Sequence, residues 1–171
     1  MSGRRFFGVP VMLIALAVSG AVAASCNRSV DIKDEIEVVD TSSGWYDAGI
    51  VEGKNKIVPS VTFRLKRKGA ADVAGVALNI VFRHPAPAGA NLEEDWDEVF
   101  IQRADFRGAD QTDALTVRTE KGYTGDPPQS RLEMLKNSHF RDVRARIYAK
   151  YSSSQWVEIG AVDVQRQLLV R

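Results

Sequence analysis

A two-residue alternation of apolar and polar side chains constrains this chain more than any other feature. The alternation covers residues 61–66, 76–83 and 143–151. A period of two places one set of side chains on a buried face and the other in water, which is typical of strands in an antiparallel sheet. Turn-forming residues separate these segments. The pattern therefore predicts an all-β domain.

Weaker strand signals raise the expected number of strands to about seven or eight. They occur at 36–39, 44–51, 96–103, 115–118, 156–159 and 162–170. Ser130 and Glu133 match a capping box, which predicts a short helix packed on the sheet through Leu132, Leu135 and Met134. We expect an antiparallel two-sheet immunoglobulin-like sandwich with one short crossover helix.

The first 25 residues have the pattern of an export leader. Arg4 and Arg5 precede an apolar run that extends to Val18, and small residues follow as far as Ser25. A charged segment, an apolar core and a small-residue cleavage zone are typical of a secretory signal peptide. We expect residues 1–25 to be removed. An uncleaved anchor is an alternative, because the run is close to the minimum length of a membrane span.

Cys26 is the only cysteine and directly follows the leader. The run Ala23-Ala24-Ser25-Cys26 resembles the bacterial lipobox, with Ala23 in place of its usual leucine. The resemblance implies that Cys26 carries a lipid. Because Asn27 rather than aspartate follows, it also implies an outer-membrane lipoprotein that faces the periplasm. Cleavage near Ala23, giving a soluble periplasmic domain, is the alternative. Residues 26–43 would then form the lipidated N terminus and tether, and 44–171 the sandwich.

The charge balance argues against nucleic acid as a partner. The chain contains 23 Lys and Arg residues and 22 Asp and Glu residues. Removal of the leader takes away only two of these charged residues, Arg4 and Arg5. A domain this close to neutral lacks the basic footprint of nucleic-acid-binding proteins. With Cys26 lipidated or removed, no internal disulfide can form, so the domain depends on its hydrophobic core.

The middle of the chain resembles a known family. A strand that ends in Asn79-Ile80-Val81-Phe82-Arg83 is followed by an acidic segment and by a strand containing Val99-Phe100-Ile101. This order is similar to the small immunoglobulin-like FxLYD-type domains of bacterial envelope lipoproteins. Arg83-His84 stands after Phe82 where that signature has Tyr-Asp. The resemblance implies a non-enzymatic module carried outside the cytoplasm.

The acidic segment 93–98 has five carboxylates in six residues. Since Ca²⁺ binds six to eight oxygen ligands, Glu94, Asp95 and Asp97 are candidate metal ligands. No glycine lies within the segment to fold it around an ion, and its spacing is not that of an EF-hand loop. We therefore expect a solvated loop without a metal. An exported enzyme or calcium-binding domain that uses this loop is the alternative.

Basic and aromatic side chains supply two candidate partner-binding groups. The basic group alternates onto one face of a strand and consists of Arg144, Arg146 and Lys150. This face is either a docking surface, which would bind an acidic partner or lipid headgroups, or simply a solvated face of the strand. The aromatic group lies beside glycines in turn-like surroundings, where exposed rings would favour binding; it consists of Trp45, Tyr46 and Tyr123. Core packing explains Trp156 at least as well as exposure.

No sequence feature indicates an active site. His84 and His139 both lie beside turn signals, and no Gly-x-Ser-x-Gly elbow is present. We expect no catalytic residue and no cofactor. The sequence favours a lipid-anchored, non-enzymatic periplasmic module that binds an envelope protein or serves an envelope assembly. A soluble secreted domain without a lipid is the alternative.

Overall fold

The computed structural model describes residues 30–86 and 92–169. The expected leader and Cys26 lie outside the described residues. Within them, nine strands and two short helices follow one another along the chain. In order, they are α1 (Ile32–Glu35), β1 (Ile36–Val51), β2 (Lys54–Arg67), β3 (Gly75–His84), β4 (Glu94–Asp105), β5 (Leu115–Arg118), β6 (Tyr123–Gly125), α2 (Arg131–Leu135), β7 (Arg144–Lys150), β8 (Val157–Asp163) and β9 (Leu168–Leu169).

The strands form two sheets that pack face to face. The first sheet has the order β5-β2-β1-β9, with β6 also paired to β2, and the second has the order β4-β3-β7-β8. Every pairing is antiparallel except the short parallel pairing of β1 with β9. The chain passes between the sheets after β2, β4, β6 and β8. The predicted immunoglobulin-like sandwich is confirmed, with more strands than expected.

The centre of the core includes the apolar residues that the alternation placed on one face. Val61, Phe63 and Leu65 of β2 are fully buried. In β3 and β7 every second residue is likewise buried, with Ile80 and Ile147 fully enclosed. Burying a side chain of this size stabilises the fold by roughly 1.5–3 kcal/mol. The two-residue period is therefore the direct cause of the sandwich.

The sandwich has two distinguishable ends. At one end, Ile36 pairs with Arg67 and Ala77 pairs with Lys150, and α1 lies beside them. We term this the N-terminal end. At the other, the distal end, the β1–β2 turn lies close to β6 because Asn55 pairs with Gly125. His84 and Arg144 also lie at the distal end, where β3 stops and β7 starts.

The first described elements differ from the expected tether. Asp31 caps α1 through a hydrogen bond from Lys33 N to its carboxylate (3.1 Å). The strand β1 then continues through the part of the chain expected to be a tether and through the turn residues after it. Register shifts between Val39 and Ser42 and between Asp47 and Gly49 absorb those residues without ending the strand.

The capping-box prediction at Ser130 is confirmed, and one detail of its helix is wrong. The Ser130 side chain accepts from Glu133 N, and the Glu133 carboxylate accepts from Ser130 N. Met134 and Leu135 are buried, as expected, but Leu132 is 53% exposed. The helix has only five residues, so its single buried face lies at its last turn.

The C-terminal segment also differs from its prediction. Gly160 does not separate the strands expected at 156–159 and 162–170; it lies inside β8, and a Cβ there would lie 3.0 Å from Val38 Cγ2. The expected last strand over 162–170 is divided, because β8 ends at Asp163 and β9 resumes at Leu168. The β9 strand crosses to the first sheet, where Leu168 pairs with Trp45.

Candidate functional site

Four aromatic rings meet at the distal end of the sandwich. Trp45 of β1 lies at their centre, with ring-centroid distances of 6.1 Å to Trp96, 5.6 Å to Tyr123 and 4.6 Å to Phe140. Its side chain is fully buried, and its indole Nε1 has no hydrogen-bond partner among the described residues. We refer to Trp45, Trp96, Tyr123 and Phe140 as the aromatic cluster.

The structure thus brings together Trp45 and Tyr123 from the predicted aromatic group and places Tyr46 elsewhere. Successive residues of a strand point to opposite faces, so Trp45 faces the second sheet and Tyr46 faces outward. The guanidinium carbon of Arg118 lies 3.6 Å from the Tyr46 ring centroid, a cation–π contact. The turn-like surroundings expected for Trp45 are wrong, because the residue lies inside β1.

A small pocket opens beside the aromatic cluster. Its volume is about 190 Å³. The pocket is built by β6, by α2 and by the turn that follows α2, and the capping box holds α2 in place. Its lining residues are Tyr123, Thr124, Gln129, Met134, Asn137, His139 and Phe140. We refer to it as the distal pocket.

The two histidines lie at the distal end in different settings. His84 is buried, with Nδ1 2.9 Å from the carbonyl oxygen of Asp142 and its ring 4.9 Å from Trp96. His139 is exposed, and its Nδ1 lies 3.3 Å from Asn137 Oδ1. Among the described residues neither imidazole hydrogen-bonds a serine or a carboxylate, which is the arrangement that would activate a nucleophile.

Two residues of the predicted basic face, Arg144 and Arg146, belong to a charge network on the outer face of the second sheet, whereas Lys150 does not. Glu93 lies among three arginines, 2.7 Å from Arg146 Nε, 3.8 Å from Arg144 Nη1 and 3.8 Å from Arg83 Nη1. Only 15% of its side chain is exposed. The hydrogen bond from Arg146, aided by the positive charges around it, lowers the pKa of Glu93.

Further carboxylates neutralise the same arginines. Glu158 lies 2.9 Å from Arg146, Asp163 lies 2.6 Å from Arg144, and Asp95 lies 2.5 Å from Arg83. The hydrogen bond to Asp163 raises the pKa of Arg144, and the bonds to Glu93 and Glu158 raise the pKa of Arg146. Three guanidinium groups therefore face four carboxylates. Such a balance does not favour an acidic ligand at Arg144 and Arg146.

The acidic segment is the start of a strand, not the expected loop. Because β4 begins at Glu94, its successive carboxylates point in opposite directions. Glu94 pairs with Arg141 at 2.7 Å, whereas Asp97 accepts hydrogen bonds from the backbone N–H groups of Glu120 and Lys121. Within residues 30–86 and 92–169, no group of three or more His, Cys, Asp or Glu side chains is placed to hold a metal ion.

Phe140, Met134 and Gln129 are site residues that the sequence analysis did not identify. The available signal was the capping box at Ser130, which fixes where α2 begins and therefore which residues its last turn buries. Their meeting with Tyr123 depends on the pairing of β6 with β2, which only the fold shows.

Comparison with protein-family models, with curated proteins and with solved structures finds no match for this chain. In the part of the chain that the structure describes, the helices are too short and too polar to cross a membrane.

Proposed function

We propose that this chain is an exported, lipid-anchored and non-enzymatic module that binds an envelope protein through its distal end. The observation that carries the proposal is the separation of the distal pocket from α1, at the N-terminal end of the sandwich. The pocket lies beside β6 at the distal end, whereas α1 enters the sandwich at the N-terminal end. A lipid on Cys26 would hold the N-terminal end near the membrane and leave the pocket accessible.

The size of the distal pocket favours a protein partner over a free small molecule. Pockets for drug-sized ligands typically enclose about 300–1,000 Å³, whereas this one encloses about 190 Å³. An aromatic floor with a polar rim suits one inserted side chain of a partner, because binding energy concentrates in such buried anchors. Phe140 and Met134 supply the apolar part of the lining, and Asn137 and Gln129 supply amide groups for the rim.

Replacing Cys26 by serine is expected to abolish membrane association, because the lipid is attached through the sulfur and each buried methylene contributes about 0.8 kcal/mol. Intact mass measurement should show the loss of acyl chains, and detergent-phase partition should show the loss of anchoring. Ser25→Ala, which keeps a small residue before the cysteine, should retain both. A wild-type chain of unmodified mass in the soluble periplasmic fraction would contradict the proposed anchor.

Placing a long cation in the distal pocket is expected to reduce partner capture at least about tenfold, the effect of losing a moderate anchor residue. Thr124→Arg makes this change, since Thr124 is exposed and lines the pocket. The matched control is Ala70→Arg, which adds the same charge at an exposed position beside α1. Photo-crosslinking of the anchored protein in envelope extracts, followed by mass spectrometry, measures the captured partner. Equal capture by both variants would exclude the distal pocket as the site.

A further inference from the structure

Two exposed aromatic side chains cross the outer face of the second sheet. Phe100 of β4 is 60% exposed and Trp156, just before β8, is 39% exposed. Their rings meet edge to face, with centroids 5.9 Å apart. Ala77, Gln102, Arg103 and Lys150 line the same groove, which has a volume of about 320 Å³. We refer to this groove as the aromatic groove.

The aromatic groove lies at the N-terminal end, away from the distal pocket. Its floor is the start of β3, where Ala77 pairs with Lys150. The loop that leads into β3 is hydrogen-bonded to α1, because Lys68 N and Ala71 N donate to the backbone oxygen and the carboxylate of Glu35. The groove and the entry point of the chain therefore belong to one end of the molecule.

The length of the preceding chain keeps this end close to Cys26. Val30, the first described residue, follows Cys26 by four positions. Four residues span at most about 14 Å when fully extended. A lipid on Cys26 would thus hold α1 and the neighbouring groove within a short distance of the membrane surface.

The charge of the aromatic groove suits an anionic surface. Among the described residues, no carboxylate lines it. Arg103 donates to Asp105 at 2.5 Å and is neutralised by it. Lys150 has no ion pair among the described residues, and its Nζ lies 5.9 Å from the Trp156 ring centroid. A lysine beside a tryptophan is a typical membrane-interface pair, since the ring rests among headgroups and the ammonium attracts anionic lipids.

We infer that the aromatic groove rests on the membrane surface, with Trp156 and Phe100 among the lipid headgroups and Lys150 facing anionic phosphates. The inference depends on the lipid anchor of the proposed function and adds to it a second contact. This contact fixes the orientation of the sandwich, so that the distal pocket faces away from the bilayer.

Quenching of tryptophan fluorescence by brominated acyl chains tests the orientation. The full lipidated protein is reconstituted in vesicles of phosphatidylethanolamine with phosphatidylglycerol. We expect bromolipids to quench part of the tryptophan emission of the wild type. In Trp156→Phe this quenching should be absent, because the quenched emission comes from Trp156. Adding Ile50→Trp to Trp156→Phe moves the third tryptophan to the distal end, at an exposed position, and should not restore quenching. Lys150→Gln should weaken quenching of the wild type.

The outcomes separate the two proposals. If vesicles float with the protein but bromolipids quench wild type and Trp156→Phe equally, the anchor stands and the groove contact is wrong. Trp156 emission that changes only when the captured partner is added would also overturn the inference, because the groove would then be a protein site. A chain that carries no acyl mass and does not float contradicts the anchor, and the inference falls with it.

Discussion

Replacing Trp45 by alanine is expected to lower the free energy of unfolding by about 3–5 kcal/mol, the usual cost of removing a fully buried tryptophan. Trp45 is completely enclosed and contacts three other rings. The matched change Trp156→Ala is expected to cost about 1 kcal/mol or less, because Trp156 retains 39% exposure and surface substitutions have small effects. Urea unfolding monitored by circular dichroism measures both losses.

A conservative variant separates packing from hydrogen bonding at Trp45. Its Nε1 has no partner in the described structure, so Trp45→Phe removes volume but no hydrogen bond. We therefore expect Trp45→Phe to lose clearly less stability than Trp45→Ala. Equal losses for the two changes would show that an unseen partner of the indole N–H stabilises the fold. Equal losses for Trp45→Ala and Trp156→Ala would contradict the burial of the aromatic cluster.

These two tryptophans show where prediction from the sequence stops. Glycine beside Trp45 suggested a turn with an exposed ring, whereas Gly44 lies inside β1 and is needed for close packing. A Cβ on Gly44 would lie 2.9 Å from the backbone oxygen of Gln167 and 2.8 Å from the Leu169 side chain. Leu169 belongs to β9, which is 125 residues away in sequence. A contact of that kind leaves no local signal.

The part of the core that β2, β3 and β7 supply was predictable because it depends only on alternation within one strand. Phe63 and Ile80 needed no knowledge of the neighbouring strands to be placed inside. The pairing of the charged side chains was not predictable in this way, because the residues across the sheet decide whether a charge is free or neutralised. Arg146 alternates onto a solvated face as expected, yet Glu93 and Glu158 reach it from two other segments.

The distal pocket illustrates the same limit for function. Tyr123 was identified as a candidate, but the turn predicted around it contains β6. Pairing of Ile57 with Tyr123 sets the position of the ring. The last turn of α2 supplies Met134, and Phe140 follows after a short connection. Three segments that are separate in the sequence have to dock before the pocket exists.

Gly122→Ala is expected to destabilise the fold by about 1–3 kcal/mol, the usual cost of overpacking, and to open the distal pocket. A Cβ at this position would lie 2.2 Å from the carbonyl oxygen of Ile57 and 2.7 Å from Val58 Cγ1. A backbone carbonyl in a paired strand cannot move aside, so the chain at 122 has to shift. Tyr123 would move with it and lose the hydrogen bond from Arg141 N to its hydroxyl, which is 3.0 Å long.

Amide hydrogen exchange and partner capture together distinguish this displacement from a general loss of stability. Gly108→Ala is the control, because a Cβ there meets nothing within 4 Å and its φ of +79° strains any other residue. Left-handed backbone costs about 1–2 kcal/mol, so the two variants should have similar stability. Only Gly122→Ala should speed hydrogen exchange at the Arg141 amide. Only this variant should also reduce capture of the partner by the distal pocket, which Thr124 lines. Faster exchange at Arg141 in both variants would mean that Gly122 does not position Tyr123.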